Sequence, residues 1–176
     1  HLTGDEVFPQ LDQILERAAH DGVEAIINIC TDLESLRRGF EKGLYNAGAT
    51  TPHDVHLFGE SHFGAFQEAA EQKKLVAVGE TGLDYYYWKE TKDLQIHFFR
   101  KYIALANSCH LPLIIHCRDA FSDLFSILDV ARPTVPVIIH CFTGTEEEAK
   151  EALQRGFYLS FSGIVTYKKS ELLRET

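Results

Sequence analysis

The stretch Leu113–Cys117 has the sequence LIIHC, and 24 residues further along the chain Val137–Cys141 has the sequence VIIHC. Short, wholly apolar runs of this kind are typical of strands buried on both faces, as in parallel sheets. Each run is followed at once by a histidine. We therefore expect His116 and His140 at the carboxyl ends of two strands, where strand gives way to loop.

A third apolar run, Leu75–Glu80 with the sequence LVAVGE, ends on a carboxylate. The run predicts a strand over residues 75–80 with Glu80 as its last residue. Imidazole nitrogens and carboxylate oxygens are common donors to transition-metal ions. Because the carboxyl ends of parallel strands meet at one edge or mouth, Glu80, His116 and His140 together predict a metal site.

Length and charge limit the classes of protein to consider. The 176 residues correspond to about one domain, and we expect a single domain over residues 1–176. The net charge of −9 excludes a basic stripe that would bind nucleic acid by charge alone, so an anionic substrate must be held locally by metal ions or a few basic side chains. No apolar run is long enough for a membrane span. The four cysteines include no CxxC pair and predict buried free thiols in a cytoplasmic protein.

Strand and helix patterns alternate along the whole chain. Two capping boxes predict helix starts, Thr31–Glu34 and Thr145–Glu148. Six apolar runs predict strands near residues 25–30, 45–50, 75–80, 113–117, 137–141 and 157–162. This alternation is typical of a parallel sheet covered by helices, either a doubly wound open sheet or a closed barrel.

The positions of the polar residues favour the barrel. An open sheet collects its ligands at one switch point, whereas a barrel gathers every strand end around one mouth. Candidate polar residues follow five of the six predicted strands, which fits the barrel. A complete (β/α)8 barrel of the TIM type takes about 250 residues. We therefore predict an α/β fold of this type that is incomplete or from which segments are missing.

Four motifs, in order along the chain, resemble the TatD family of metal-dependent deoxyribonucleases. They are the stretches 48–54 (GATTPHD), 78–85 (VGETGLDY), 115–120 (IHCRDA) and 139–144 (IHCFTG). The resemblance extends from His1 to about Lys169. It implies a TIM barrel of the amidohydrolase-like group that hydrolyses phosphodiester bonds in DNA, often as a 3′ to 5′ exonuclease on single-stranded ends, and that is typically a monomer.

The resemblance also implies roles for particular residues. His1 matches the second histidine of the family's His-x-His pair, and Glu80 matches the carboxylate shared by two metal ions. His116 and His140 match ligands of the second ion. The family's first histidine and the aspartate of its strand-eight Glu-Thr-Asp motif have no counterpart, although Glu175-Thr176 resembles the start of that motif. The donor types accept Mg, Mn, Zn or Ni, so the number (up to two) and identity of the divalent ions stay open.

His53 and Arg118 match family residues near the substrate phosphate. A planar guanidinium suits bidentate binding of phosphate, but a salt bridge from Arg118 to Asp119 or a neighbour is an equally good interpretation. We place Glu80, His53 and Arg118 in the catalytic set. Asp84 is expected to orient histidines, and Asp119 either to do the same or to cap a helix.

Tyr85–Trp88 form an aromatic segment just after the glutamate motif. Such rings either stack on the bases of a single strand or close the rim of the barrel.

Two other functions stay open from the sequence. One is a hydrolase of amides, lactones or phosphotriesters on a related barrel, which the lack of a strand-end lysine disfavours. The other is a non-catalytic, truncated barrel, which the incomplete set of ligands favours.

Overall fold

A computed structural model describes all residues from His1 to Thr176. Six strands form one parallel sheet, and the strands are β1 Ile27–Cys30, β2 Tyr45–Gly48, β3 Ala77–Asp84, β4 Leu113–Arg118, β5 Val137–His140 and β6 Tyr158–Leu159. Seven helices accompany them: α1 Leu11–His20, α2 Leu33–Glu41, α3 Val55–Glu71, α4 Lys92–Cys109, α5 Phe121–Ala131, α6 Glu146–Gln154 and α7 Glu171–Glu175. None of the helices is both long enough and apolar enough to cross a lipid bilayer.

The strands lie in the sheet in the order in which they occur in the chain, from β1 to β6, and every neighbouring pair is parallel. A doubly wound sheet would instead reverse direction at a switch point. The sequential order is that of a TIM-type barrel wall, as predicted. The wall is open, because β1 and β6 each pair on one side only.

Side chains alternate between the two faces of the sheet. In β4 and β5, Leu113, Ile115 and Ile139 are buried against the helices, whereas His116 and His140 lie on the opposite, half-buried face. The register pairs His116 with His140 directly across the two strands. The predicted strand-end histidines therefore lie side by side on the face that is not covered by helices.

Strand β3 differs from the prediction. Instead of ending on Glu80, it continues to Asp84 and pairs with β4, with a shift of register between Val78 and Thr81. Gly82 makes the continuation possible, because its φ is +141° and a Cβ there would lie 2.0 Å from the carbonyl oxygen of His116. The carboxylate at the end of the strand is therefore Asp84, and Glu80 lies within the strand.

Three local predictions near loops also change. The capping box of α2 is formed by Asp32 and Ser35, one residue beyond the predicted pair, whereas the box at Thr145 and Glu148 is confirmed. The last strand contains two residues instead of the predicted six. All four cysteines are free, as predicted, but only Cys30 and Cys117 are buried.

Candidate metal and phosphate site

The end of β3 is fixed by a buried glutamine on α4. The Gln95 side chain accepts a hydrogen bond from the Asp84 backbone N–H at 2.8 Å and donates to the Asp84 carbonyl at 3.1 Å. It also donates to the carbonyl of Trp88 at 2.7 Å. Because Gln95 is fully buried, these bonds hold the turn after β3 in one position relative to the helix.

The loop after β2 is fixed in a similar way. The hydroxyl of Tyr102, buried on α4, accepts the Thr50 N–H at 3.0 Å and lies 2.8 Å from the Thr50 hydroxyl. This contact anchors the segment that leads to His53. Nε2 of His53 then lies 2.9 Å from Oδ2 of Asp84, so two separate segments of the chain meet at one carboxylate.

His116 lies between two carboxylates. Its Nδ1 is 3.0 Å from Oε1 of Glu80, and its Nε2 is 2.9 Å from Oδ2 of Asp84. On the other side of Glu80, Nε2 of His1 lies 3.7 Å from Oε2. The structure thus brings together three of the four predicted metal ligands, His1, Glu80 and His116.

The fourth predicted ligand, His140, lies beside His116 in the register of β4 and β5. Its Nδ1 is 3.4 Å from the hydroxyl of Ser160, and it makes no hydrogen bond to Glu80. His140 is therefore close to the cluster without touching the carboxylate.

The segment that carries His1 is held by a buried amide. The Asn28 carbonyl oxygen accepts the backbone N–H of Leu2 at 2.9 Å, and its amide group donates to the Thr3 hydroxyl at 2.8 Å. His1 itself donates through Nδ1 to the carbonyl of Ile29 at 3.2 Å. These bonds position the histidine at the end of β1, next to the β3 carboxylate.

The pKa values of the cluster follow from burial opposed by hydrogen bonding. Burial would raise the pKa of the Glu80 carboxyl, but the hydrogen bond and charge of His116 outweigh it and lower that pKa. The pKa of Asp84 is also lowered, because the Tyr87 N–H, His53 and His116 outweigh burial. Burial would lower the pKa of His116, yet its two carboxylate partners raise it. At all three groups, therefore, burial and hydrogen bonding oppose each other, and hydrogen bonding between the partners prevails.

Asp84 has a larger part in the site than the sequence indicates. His53, Asp84 and His116 each offer one ligand atom, and these three atoms lie within 4.8 Å of one another. This spacing is suited to a single metal ion. The sequence predicts Asp84 only as a residue that orients histidines. The signal for a larger role is that Asp84 is the last residue of β3. The sequence does not show this, because the apolar run stops before Glu80.

Arg118 and Asp119 take positions that the sequence does not predict. Arg118 makes no salt bridge; its guanidinium lies over the rings of Tyr86 and Tyr87, 4.1 Å and 5.0 Å from their centroids. Asp119 does not cap α5, because the N-cap is Ala120 and no side chain caps that helix. Of the two interpretations of Arg118, a salt bridge to Asp119 or a neighbour is therefore not the one that the structure shows, because the guanidinium stacks on the aromatic segment instead.

The fold and this histidine–carboxylate cluster define a metal-dependent hydrolase of the parallel-barrel type, and the comparisons agree. The TatD related DNase family matches residues 1–176, and this chain belongs to that family. It is 38% identical to the metal-dependent hydrolase YabD of Bacillus subtilis over 99% of this chain and 71% of the relative. It is 33% identical to the 3′-5′ ssDNA/RNA exonuclease TatD of Cronobacter turicensis over 94% of this chain and 65% of that protein.

A solved structure gives the same result for the fold. The TatD homologue YjjV of Escherichia coli superposes with a TM-score of 0.89 at 27% identity, covering 99% of this chain and 70% of that one. The chain therefore spans about two thirds of the length of these relatives. The open sheet is consistent with this share, since a closed barrel has eight strands.

Proposed function

We propose that this chain is a metal-dependent nuclease that hydrolyses phosphodiester bonds in DNA, acting as a 3′ to 5′ exonuclease on single-stranded ends. The observation that supports it most strongly is the position of His116 between Glu80 and Asp84, at 3.0 Å and 2.9 Å. Carboxylate oxygens and imidazole nitrogens are donors that divalent metal ions accept, and this contact gathers several of them in one place. The exonuclease relative adds support for the substrate class.

The donor set fits divalent ions, and His1, Glu80, His116 and His140 would hold them. Asp84 would orient His53 and His116 through Oδ2 or join the ligands itself. When bound, such ions would neutralise the scissile phosphate and lower the pKa of a coordinated water. Mg, Mn, Zn and Ni all fit these donors.

The chain's own residues would position the substrate. His53 is about two-fifths exposed and fixed at Nε2 by Asp84, which leaves Nδ1 for a phosphate oxygen or a water. Arg118 would donate from its planar edge to the phosphate. Glu80 would help to hold the metal ions, and as a buried carboxylate at the centre of the cluster it would supply negative charge to them.

The other proposals have less support. None of the six strands contains a lysine, so no observation favours the amide or lactone hydrolase. We also propose a monomeric protein with one domain over residues 1–176. The four free cysteines support a cytoplasmic location.

Cleavage of a single-stranded oligonucleotide labelled at its 5′ end tests the function. With Mn²⁺ we expect a ladder that shortens from the 3′ end, whereas Glu80→Gln should lower the rate by at least about ten-fold. Glu60→Gln is the matched control, because Glu60 is exposed and pairs with Lys101. The proposal is wrong if the folded chain cleaves no oligonucleotide with Mg²⁺, Mn²⁺, Zn²⁺ or Ni²⁺.

A further inference from the structure

Aromatic rings contact the flat face of the Arg118 guanidinium, and no acidic side chain pairs with it. It lies 4.1 Å from the centroid of the Tyr86 ring and 5.0 Å from that of Tyr87. Those two rings meet edge to face, with centroids 4.6 Å apart. Arg118 is the last residue of β4, two positions after His116, so its cation lies beside the histidine–carboxylate cluster.

Stacking leaves the edge of the guanidinium free. The N–H groups of arginine lie in the plane of the group, so a ring against its face does not occupy them. In the structure these groups donate to no side chain and no carbonyl, and Arg118 makes no ion pair although the chain is acidic overall. A cation with a fixed plane and a free donor edge is suited to a phosphate.

The two tyrosines are exposed and yet firmly placed. The two residues are 57% and 58% exposed, while the backbone N–H groups of Tyr86 and Tyr87 donate to Oδ1 of Asp84 at 3.0 Å and 2.8 Å. The Tyr87 ring also meets His53 edge to face at 6.0 Å. Exposed aromatic surface is therefore fixed relative to the carboxylate at the centre of the site.

Tyr85 differs from its neighbours and shows how the segment is anchored. Its hydroxyl donates to Asp123 at 2.7 Å, and Lys92 binds the same carboxylate at 2.7 Å. This residue thus fixes the segment to helices α4 and α5, and the next two rings are left to face solvent. Tyr85 is anchored, whereas Tyr86 and Tyr87 are exposed. If the segment served only to close the rim of the barrel, the last two rings would not need to face solvent.

Resting on the proposed nuclease function, we infer that Tyr86, Tyr87 and Arg118 form a nucleotide subsite for an unpaired end of DNA. The edge of Arg118 binds a phosphate, and the exposed tyrosine surface stacks on the neighbouring base. The tyrosines are also positioning residues, because they set the plane of the guanidinium. A base-paired end hides the faces of its bases in the helix, so the subsite selects single strands.

Binding measured without metal tests the subsite independently of cleavage. Fluorescence anisotropy of a labelled single-stranded oligonucleotide is compared with that of the same oligonucleotide carrying abasic residues at its last two 3′ positions. We expect the normal end to bind at least about five-fold more tightly. Tyr86→Leu combined with Tyr87→Leu should remove this difference, whereas the two Phe replacements should keep it.

Controls separate stacking from a structural role. Tyr167→Leu removes a tyrosine of similar exposure, far along the chain from the segment, and should leave the preference for the normal end intact. Arg118→Lys should weaken binding of normal and abasic ends alike, because it keeps the charge and loses the planar edge. Equal binding of the two ends by the unaltered chain, or Leu variants that lower only the melting temperature, would overturn the subsite.

The two proposals can fail separately. If the normal end binds more tightly but no metal supports cleavage, the subsite stands and the nuclease function fails. If normal and abasic ends are cleaved with the same KM and bound equally, the nuclease function stands and the subsite fails.

Discussion

Oδ2 of Asp84 lies 2.9 Å from Nε2 of His116, on the neighbouring strand of the sheet. The same oxygen lies 2.9 Å from Nε2 of His53, so one buried carboxylate oxygen meets two imidazoles. Its partner oxygen, Oδ1, accepts two backbone N–H groups from the aromatic segment. Asp84 therefore connects the metal-binding residues to the residues that would contact substrate.

Replacing Asp84 with Asn should weaken metal binding without unfolding the chain. The amide oxygen can still accept the N–H groups of Tyr86 and Tyr87, but the lost charge no longer holds the two histidines. We expect the affinity for Mn²⁺ to fall by about 10–100-fold, measured by calorimetric titration. Asp21→Asn is an exposed control that should leave the affinity unchanged. An unaltered affinity in Asp84→Asn would show that this carboxylate does not support the site.

Removal of metal should lower the melting temperature of the chain. A ligand at 100 times its Kd stabilises the native state by about 2.7 kcal/mol, which for a chain of this size is about 5–10 °C. We expect a rise of this order when Mn²⁺ is added to chelator-treated protein. His140→Ala should reduce the rise, whereas the exposed His20→Ala should not. The same rise in His140→Ala and in the unaltered chain would exclude His140 as a ligand.

An alanine at Gly82 should strongly destabilise the fold. The added Cβ would lie 2.0 Å from the His116 carbonyl oxygen, and φ at this position is +141°. The clash is with backbone, so β3 and β4 would have to separate. We expect a loss of about 3 kcal/mol or more in the free energy of unfolding, measured in urea.

Gly64 gives the matched control for Gly82. It lies within α3 and is exposed, and a Cβ there would meet no atom within 4 Å. Gly64→Ala should therefore stabilise the chain by about 0.5–1 kcal/mol, because alanine loses less backbone entropy in a helix. If both variants lost the same stability, the close approach at Gly82 would not be the cause.

His62 should make the stability of the chain sensitive to acid. Its ring is buried on α3, stacked on Phe58 at 4.8 Å, and its Nδ1 has no hydrogen-bond partner. Burial lowers its pKa below the ordinary 6.5, although the charges of Asp32 and Asp54 oppose this. As the pH falls through 6.5 the unfolded state binds the proton first, so stability is lost progressively down to the lower native pKa.

A comparison of pH dependence tests this histidine. The free energy of unfolding should fall less between pH 7.5 and pH 5 in His62→Phe than in the unaltered chain, and His20→Phe should behave like the unaltered chain. Parallel curves for all three proteins would show that His62 is protonated equally in the native and unfolded states.

The strands and the histidines could be predicted because their signals are local. Uninterrupted apolar runs define β4 and β5, and each run leads directly to its histidine. The approach of Glu80 to His116 also follows from the parallel order of neighbouring strands, without knowledge of any distance. In these parts of the chain, the residue types and their order are enough to predict where the strands lie and which strands are neighbours.

Other parts of the site depend on pairing between segments, which the sequence does not show. The stretch from Gly79 to Gly82 resembles a turn, yet the strand continues through it and pairs with β4, so the sequence alone does not indicate that Asp84 is the last residue of β3. At α2, Thr31 and Asp32 are both good capping residues, and only packing decides between them. Arg118 is adjacent to Asp119 in the sequence, but its guanidinium contacts the rings of Tyr86 and Tyr87 and not that carboxylate.

The shift of register in β3 has a consequence for any attempt to transplant the site. In a regular strand the Cα atoms of Glu80 and Asp84 would be about 13 Å apart, so both side chains must lean toward the imidazole that lies between them. Gly82 pairs with His116, and the carboxylates two residues before and after it reach the ring from opposite sides, with Glu80 inside the irregular stretch between Val78 and Thr81. A designer who copied only the ligand identities onto an ideal strand would lose the arrangement, so the bulge has to be grafted with them.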